Sequence, residues 1–280
     1  MSFNDQFADK YVYISGGTSG IGLAVAKKFS ALGANIFAFS VDQEEQRNLA
    51  LAEMAEAKIH DTQQFKAITL DITDNKLVDK ELSKACKEFG PPFVIVNSAG
   101  IGGAISFEQL SLQRFDKTVK LNLYGTRHVI HSCLPYMKEQ GGYIVNVASM
   151  SGLIGLYGYT AYSSSKFAVV GLTHSLRSEL KPYNISVSVL CPVQVETPLL
   201  RETDKYKPPE TKAINNKAGV MTADEVAQGM LKGMKQNKAV IIPGIKGNFF
   251  YLLNRVFPNI REKMTERIIT KTRNALALNK

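Results

Sequence analysis

The run YVYISGGTSGIG, Tyr11 to Gly22, decides how this chain folds. Its first five residues read as a short buried strand. Gly16, Gly20 and Gly22 follow at G-x-x-x-G-x-G spacing. Ile21 to Leu32 then carries apolar residues at helical intervals until Gly33 ends the pattern. A strand, a glycine turn and a helix in that order bring backbone N–H groups and the positive end of a helix dipole to one point. That arrangement suits a pyrophosphate. Glycine also serves ordinary tight turns, so the motif gains its weight from lying between a first strand and a first helix.

Outward from this run the same alternation continues. Asn35–Ser40, Phe65–Leu70, Phe93–Asn97, Tyr143–Val147, Ile185–Leu190 and Ala239–Ile242 read as strands. Asp42–Lys58, Asn75–Phe89, Ser111–Met137, Tyr162–Leu180 and Ala223–Lys235 read as helices between them. Thr222 and Glu225 form a capping box at the start of the last helix. Strands recurring among helices at roughly 30-residue intervals imply right-handed crossovers and a parallel sheet. The expected fold is α/β: one doubly wound, Rossmann-type sheet of seven parallel strands with helices on both faces, spanning residues 1–244. Two segments break the rhythm. Residues 193–220 are long, polar and carry Pro198, Pro208 and Pro209, which suggests a substrate lid. Residues 245–280 form a basic amphipathic tail.

Composition narrows the class. The chain has 280 residues, 45% of them hydrophobic, enough for a packed core. Three scattered cysteines argue against a disulfide framework and for a reducing compartment. Met1 to Lys10 is polar, and no run of about 20 apolar residues occurs, so the expected location is the cytosol. His128 and His131 could share a helix face, but no carboxylate or cysteine motif joins them, and no metal is expected. The net charge is +9, of which the tail carries +6. That concentrates any acidic partner at the tail, and nucleic acid is a poor explanation for it.

A second constellation lies downstream. Tyr162 and Lys166 stand four residues apart, which places them on one helix face. Ser149 precedes the tyrosine by thirteen residues. A tyrosine hydroxyl titrates at about 10, and a neighbouring ammonium is expected to pull it down. Tyr157 and Tyr159 lie close by, but neither has a lysine four residues later.

Together these residues resemble the short-chain dehydrogenases/reductases, from Tyr11 to about Pro243. The matching pieces are Ser15–Gly22, Asp71-Ile72, Asn97–Gly100, Asn122–Gly125, Ser149, Tyr162-x-x-x-Lys166, and Pro192 with Thr197. The resemblance implies a catalytic set of Asn122, Ser149, Tyr162 and Lys166. Tyr162 would give a proton to a carbonyl oxygen that Ser149 also holds. Lys166 would hold the nicotinamide ribose, and Asn122 would bind a water linking Lys166 to solvent. It also implies a dinucleotide site. Gly16, Thr18, Ser19, Gly20, Ile21 and Gly22 would form the turn, with Ser40 at the adenosine ribose. Asp71 and Ile72 would border the adenine. Asn97, Ala99 and Gly100 would line the cleft, and Tyr162, Lys166, Pro192, Val195 and Thr197 would lie by the nicotinamide. Ser40-Val41-Asp42 lacks an arginine, yet Ser40 does not repel phosphate. With Asp42 read as pointing away, the sequence leans toward NADP(H) over NAD(H).

The expected substrate is a small apolar carbonyl or alcohol, because Ile101, Ile105, Leu153, Ile154, Leu156, Tyr157, Leu199 and Leu200 fall in pocket-lining segments. Gly155–Ala168 and Glu179–Asn184 are similar to the 3-ketodihydrosphingosine reductases. That subgroup reduces a long-chain β-ketone with NADPH at a membrane surface, which implies a lipid-like substrate. Steroid, retinoid and general carbonyl reductases share much of the pattern. An epimerase or dehydratase would need a larger C-terminal half, and a non-catalytic dinucleotide sensor would not need the proton donor. The resemblance also implies a homodimer or homotetramer built through Ser111–Met137 and Tyr162–Leu180. In the tail, Phe249, Phe250, Leu252 and Leu253 lie among lysines and arginines. It reads either as a peripheral membrane contact or as packing on the domain or a second subunit.

Overall fold

A computed structural model describes residues 3–278. Seven parallel strands form one sheet in the order β3-β2-β1-β4-β5-β6-β9. They are β1 (Tyr11–Ser15), β2 (Asn35–Ser40), β3 (Phe65–Thr69), β4 (Pro92–Asn97), β5 (Gly142–Val147), β6 (Ile185–Leu190) and β9 (Val240–Ile241). Two short strands, β7 (Gln194–Val195) and β8 (Val220–Met221), pair apart from the sheet.

Alternating side chains explain why helices cover both faces. Val12 and Ile14 point to one side of β1 and Tyr13 to the other. The first side is covered by α1 (Gly20–Ser30), α2 (Glu44–Glu56) and α9 (Ala223–Lys235), through Val25, Phe29, Met54, Val226 and Met230. The second is covered by α3 (Asn75–Glu88), α5 (Thr126–Met137) and α6 (Thr160–Glu179), through Val78, Leu82, Val129, Cys133 and Leu176. Both ends of the Thr222–Glu225 capping box are made at the start of α9.

The helix expected over Ser111–Met137 is interrupted. α4 (Leu112–Val119) runs into a π-turn at Lys120–Gly125 before α5 begins. Asn122 sits inside that turn, fully buried. Residues 193–220, expected as a lid, are built rather than structureless: α7 (Pro198–Thr203) and α8 (Pro209–Ala218) lie between β7 and β8. The tail forms α10 (Ile245–Val256) and α11 (Pro258–Leu278), with α11 packed against α8.

Sheet order reverses direction between β1 and β4, which connect to opposite sides. Crevices at such switch points, beyond the carboxyl ends of the strands, are where open α/β sheets bind ligands. The Gly16 turn and the Ser98–Gly100 segment flank this one. The Ser15 hydroxyl accepts from Ala99 N at 3.2 Å and ties the two together.

Candidate active site

The glycine turn closes tightly. Gly16 and Gly20 have φ of 65° and 52°, in the left-handed region that favours glycine. A Cβ on Gly22 would lie 2.0 Å from the Gly16 carbonyl oxygen, and one on Gly16 would lie 2.9 Å from Ala99 N. Ser19 stands at the N-cap of α1, yet its hydroxyl makes no capping bond, and the first turn of α1 carries no acidic residue. A backbone cradle that side chains would fill, at an uncompensated helix N-terminus, fits a dinucleotide pyrophosphate.

Thr18 and Ser40 are buried and bonded to one another at 2.8 Å. The Thr18 hydroxyl also meets the Asp42 carboxylate, and Asp42 N donates to Ser40 Oγ at 3.1 Å. Asp42 therefore turns onto the cradle, against the sequence expectation that it points away. Arg47 is occupied by the Asp42 main-chain carbonyl at 2.6 Å.

On the β4 side the expected residues divide. Gly100 faces the cleft, and a Cβ there would meet Asn122 Oδ1 at 3.0 Å and Lys166 Nζ at 3.4 Å. Asn97, by contrast, is directed into the sheet, where its Nδ2 donates to Asn146 Oδ1 at 2.8 Å. Asn146 in turn donates to Thr173 Oγ1 at 3.0 Å, a buried polar chain that ties β4 to β5 and α6. Ile72 is buried, its side chain against Gly125 of the π-turn, and the exposed Asp71 carboxylate accepts from Thr73 N.

Ser149, Tyr162 and Lys166 converge on one cavity. Ser149 follows β5, and its loop is pinned where Met150 N donates to the Pro192 carbonyl at 2.9 Å. Tyr162 lies in the first turn of α6, with its ring 3.3 Å from where a Gly102 Cβ would be. Lys166, one turn on, is buried and donates to the Val147 carbonyl at 2.8 Å.

Burial pushes the Tyr162 hydroxyl up to about 12; the neighbouring Ser149 hydroxyl pulls the other way, and Tyr159 and Cys191 reinforce burial. Burial also takes the Lys166 ammonium down to about 8. The ammonium lies 5.7 Å from the centre of the tyrosine ring. The direction at Tyr162 is therefore set by desolvation of the phenolate, and not by the lysine as the sequence suggests.

Asn122 is committed on both ends of its amide. It accepts from Ile101 N, and donates to Ile101 O and to Ser165 Oγ, each at 2.9 Å. Its main-chain carbonyl takes the Thr126 hydroxyl at 2.8 Å. The side chain braces the Gly100–Ile101 loop against α6, and both of its amide N–H groups are used there.

The cavity measures about 290 Å³ and is lined mostly by apolar side chains. Ile21, Pro192, Val195 and Thr197 border it, as do Ile101, Ile154, Leu156, Leu199 and Leu200. The Thr197 hydroxyl accepts from Leu200 N and caps α7, while its methyl faces Gly20. Ile105, Leu153 and Tyr157 are not part of its wall. Leu153 packs with the core around Val169, and the Tyr157 hydroxyl binds Arg273 at 3.0 Å.

The tail supplies a wall that sequence reasoning missed. Phe250 and Leu253 of α10, with Arg261, Met264 and Ile268 of α11, face the cavity. The helical period of the tail was the available signal. Arg261 Nε and Gln194 Oε1, both in this lining, are buried without a hydrogen-bond partner.

Comparison with known proteins agrees with this geometry. A family model described as short chain dehydrogenase matches residues 10–208. The chain is 36% identical over 241 residues to a 3-dehydrosphinganine reductase of Danio rerio, covering 85% of this chain and 69% of that one. It is 35% identical over 242 residues to a 3-ketodihydrosphingosine reductase of Mus musculus, with the same coverage. Among solved structures, levodione reductase superposes with a TM-score of 0.76 at 26% identity, covering 86% of this chain and 98% of that one. The strand order, the glycine cradle, the Ser149–Tyr162–Lys166 cluster and these matches agree: the chain belongs to the short-chain dehydrogenase/reductase family of oxidoreductases.

Proposed function

We propose that this enzyme interconverts a ketone and a secondary alcohol on an apolar, lipid-like substrate of the 3-ketosphinganine type. The observation that carries the reading is the meeting of Ser149, Tyr162 and Lys166 at a cavity walled by aliphatic side chains. A nicotinamide dinucleotide bound in the Gly16–Gly22 cradle supplies or accepts the hydride. Tyr162 gives its proton to the carbonyl oxygen as charge develops there, and Ser149 hydrogen-bonds the same oxygen. A tyrosine with a pKa held high keeps that proton near neutrality. Lys166, at the floor of the cleft, is placed to hold the ribose hydroxyls. Asn122 acts as a positioning residue for the Gly100–Ile101 loop.

Asp42 moves the cofactor reading from NADP(H) to NAD(H). A carboxylate at the end of the second strand accepts from a ribose 2′-hydroxyl and repels a 2′-phosphate. Arg47, the nearest cation in sequence, is bound to the Asp42 main chain. We further propose a homodimer or homotetramer through α4, the π-turn and α6, where Leu112, Tyr124 and Phe167 remain exposed. Three free, buried thiols fit a cytosolic setting.

A second reading is favoured by Arg261. An unpartnered guanidinium N–H in an apolar cavity suits a ketone that carries a carboxylate or another oxygen acceptor.

The test is NADH and NADPH oxidation with a long-chain 2-amino-1-hydroxy-3-ketone, a long-chain keto acid, a steroid ketone and retinal, beside Tyr162→Phe. Turnover led by the amino ketone, and lost by about 10²–10⁴-fold in the variant, supports the first reading. Turnover led by the keto acid supports the second. Dinucleotide binding without turnover of any ketone replaces both with a dinucleotide sensor.

A further inference from the structure

Helix α10 has two apolar faces with different fates. Phe250 and Leu253 turn inward and wall the cavity. Ile245, Phe249, Leu252 and Val256, at i, i+4, i+7 and i+11, form one outward stripe. They are 89%, 61%, 59% and 54% exposed. Phe257 and Ile260, both at least half exposed, continue it onto the first turn of α11. Contiguous exposed apolar surface of this kind marks an interaction site.

Charge indicates the partner. A step of about 100° per residue puts Lys246 and Arg255 roughly a quarter-turn to either side of the stripe. Both are exposed, and Tyr251 OH accepts from Arg255 at 3.0 Å, fixing it on its flank. Lys263 and Arg267 are exposed on the following helix. Residues 245–280 hold +6 of the chain's +9. A two-fold contact with a second copy would set these cations against themselves, whereas an anionic bilayer neutralises them. Among the described residues, no helix is long and apolar enough to cross a membrane, so this helix would lie in the interface.

We propose that α10 and the first turn of α11 dock the protein peripherally on an anionic phospholipid surface. The outer stripe then enters the headgroup boundary while the inner face of the same helix opens the cavity toward it. The docking stands on the exposed stripe and its charge; the passage of substrate from bilayer to cavity rests on the lipid-substrate reading above.

The experiment is co-sedimentation of the full chain with phosphatidylcholine vesicles, with and without phosphatidylserine, at low and high salt. Phe249→Glu/Leu252→Glu removes the outer stripe without touching the cavity wall, and Lys246→Gln/Arg255→Gln keeps the stripe and removes its flanking charge. The expected result is pelleting that needs phosphatidylserine, weakens with salt, and falls at least tenfold in the first variant and several-fold in the second. Turnover of a water-soluble ketone is expected to stay unchanged, while turnover of a vesicle-embedded ketone falls. No pelleting of the wild type, or equal pelleting of all three proteins, overturns the proposal. A fall in oligomer mass by light scattering in the stripe variant, with unchanged pelleting, overturns it in favour of a subunit interface. Because pelleting needs no substrate, loss of docking with ketone turnover intact defeats this inference alone. Docking without turnover of a lipid ketone defeats only the substrate reading.

Discussion

The Lys166 ammonium donates to the main-chain carbonyl of Val147, the last residue of β5, at 2.8 Å. The bond anchors the lysine under the cleft, but burial still holds its pKa at about 8, against 10.5 unperturbed. Between those two values the unfolded chain binds more protons here than the folded one, so this group makes stability rise with pH across that window. Lys166→Met removes the dependence. In urea unfolding without added dinucleotide, the variant is expected to gain on the wild type by on the order of 3 kcal/mol at pH 7. The gap shrinks above pH 8 and closes toward pH 10.5. A gap that stays constant from pH 7 to pH 10 would contradict the buried-ammonium account.

Asp42 turns its carboxylate onto the Thr18 hydroxyl at the edge of the cradle. Replacing it with asparagine keeps the hydrogen-bonding shape and removes the charge. The ratio of kcat/KM for NADPH over NADH is expected to rise by about tenfold to a hundredfold, the scale of one charged hydrogen bond. An unchanged ratio would mean that the carboxylate does not meet the ribose.

Two glycine-to-alanine changes should act in opposite directions. Gly22→Ala drives a methyl into the Gly16 carbonyl. Dinucleotide affinity, followed by fluorescence titration, is expected to fall at least a hundredfold, together with a lower Tm. Gly171→Ala lies inside α6, where nothing stands within 4 Å of the added carbon. It is expected to stabilise the isolated subunit by about 0.5–1 kcal/mol.

Arg273 joins α11 to α8. Its Nε donates to Glu210 Oε1 and its Nη2 to the Tyr157 hydroxyl, each at 3.0 Å. Arg273→Gln should loosen α8 without reaching the cavity lining. Faster amide exchange across residues 209–218 is the expected outcome, with a raised KM for bulky ketones and little change in kcat. Unaltered exchange would show that α8 holds its place without α11.

Sequence carried most of the scaffold and only part of the pocket. The strands were legible as short apolar runs recurring between helical patterns, and that order implies the helices found on both sheet faces. Tyr162 and Lys166 were legible because four residues make one helical turn. The orientation of Asp42 was not, since it depends on Thr18, which reaches it only after β1 and β2 pair side by side. Nor did the tail reveal which neighbour of the Phe249–Phe250 pair turns inward. Both are apolar at adjacent positions, and only the docked helix separates them. The interruption of the Ser111–Met137 helix escaped for a similar reason: no proline or glycine pair marks its start, and Asn122 finds Ile101 and Ser165 only in three dimensions.

That interruption restricts what lengths the segment can take. A π-turn houses one residue more than the α-helix it replaces. Deleting one residue of Lys120–Gly125 would let the ladder close in α register while α4 and α5 keep their phase. What would be lost is the widened turn itself, and with it the place from which Asn122 reaches Ile101 and Ser165. A further inserted residue would instead turn α4 by about 100° relative to α5. In this stretch the count of residues is itself under constraint: one extra residue separates an ordinary helix from the brace beneath the cleft.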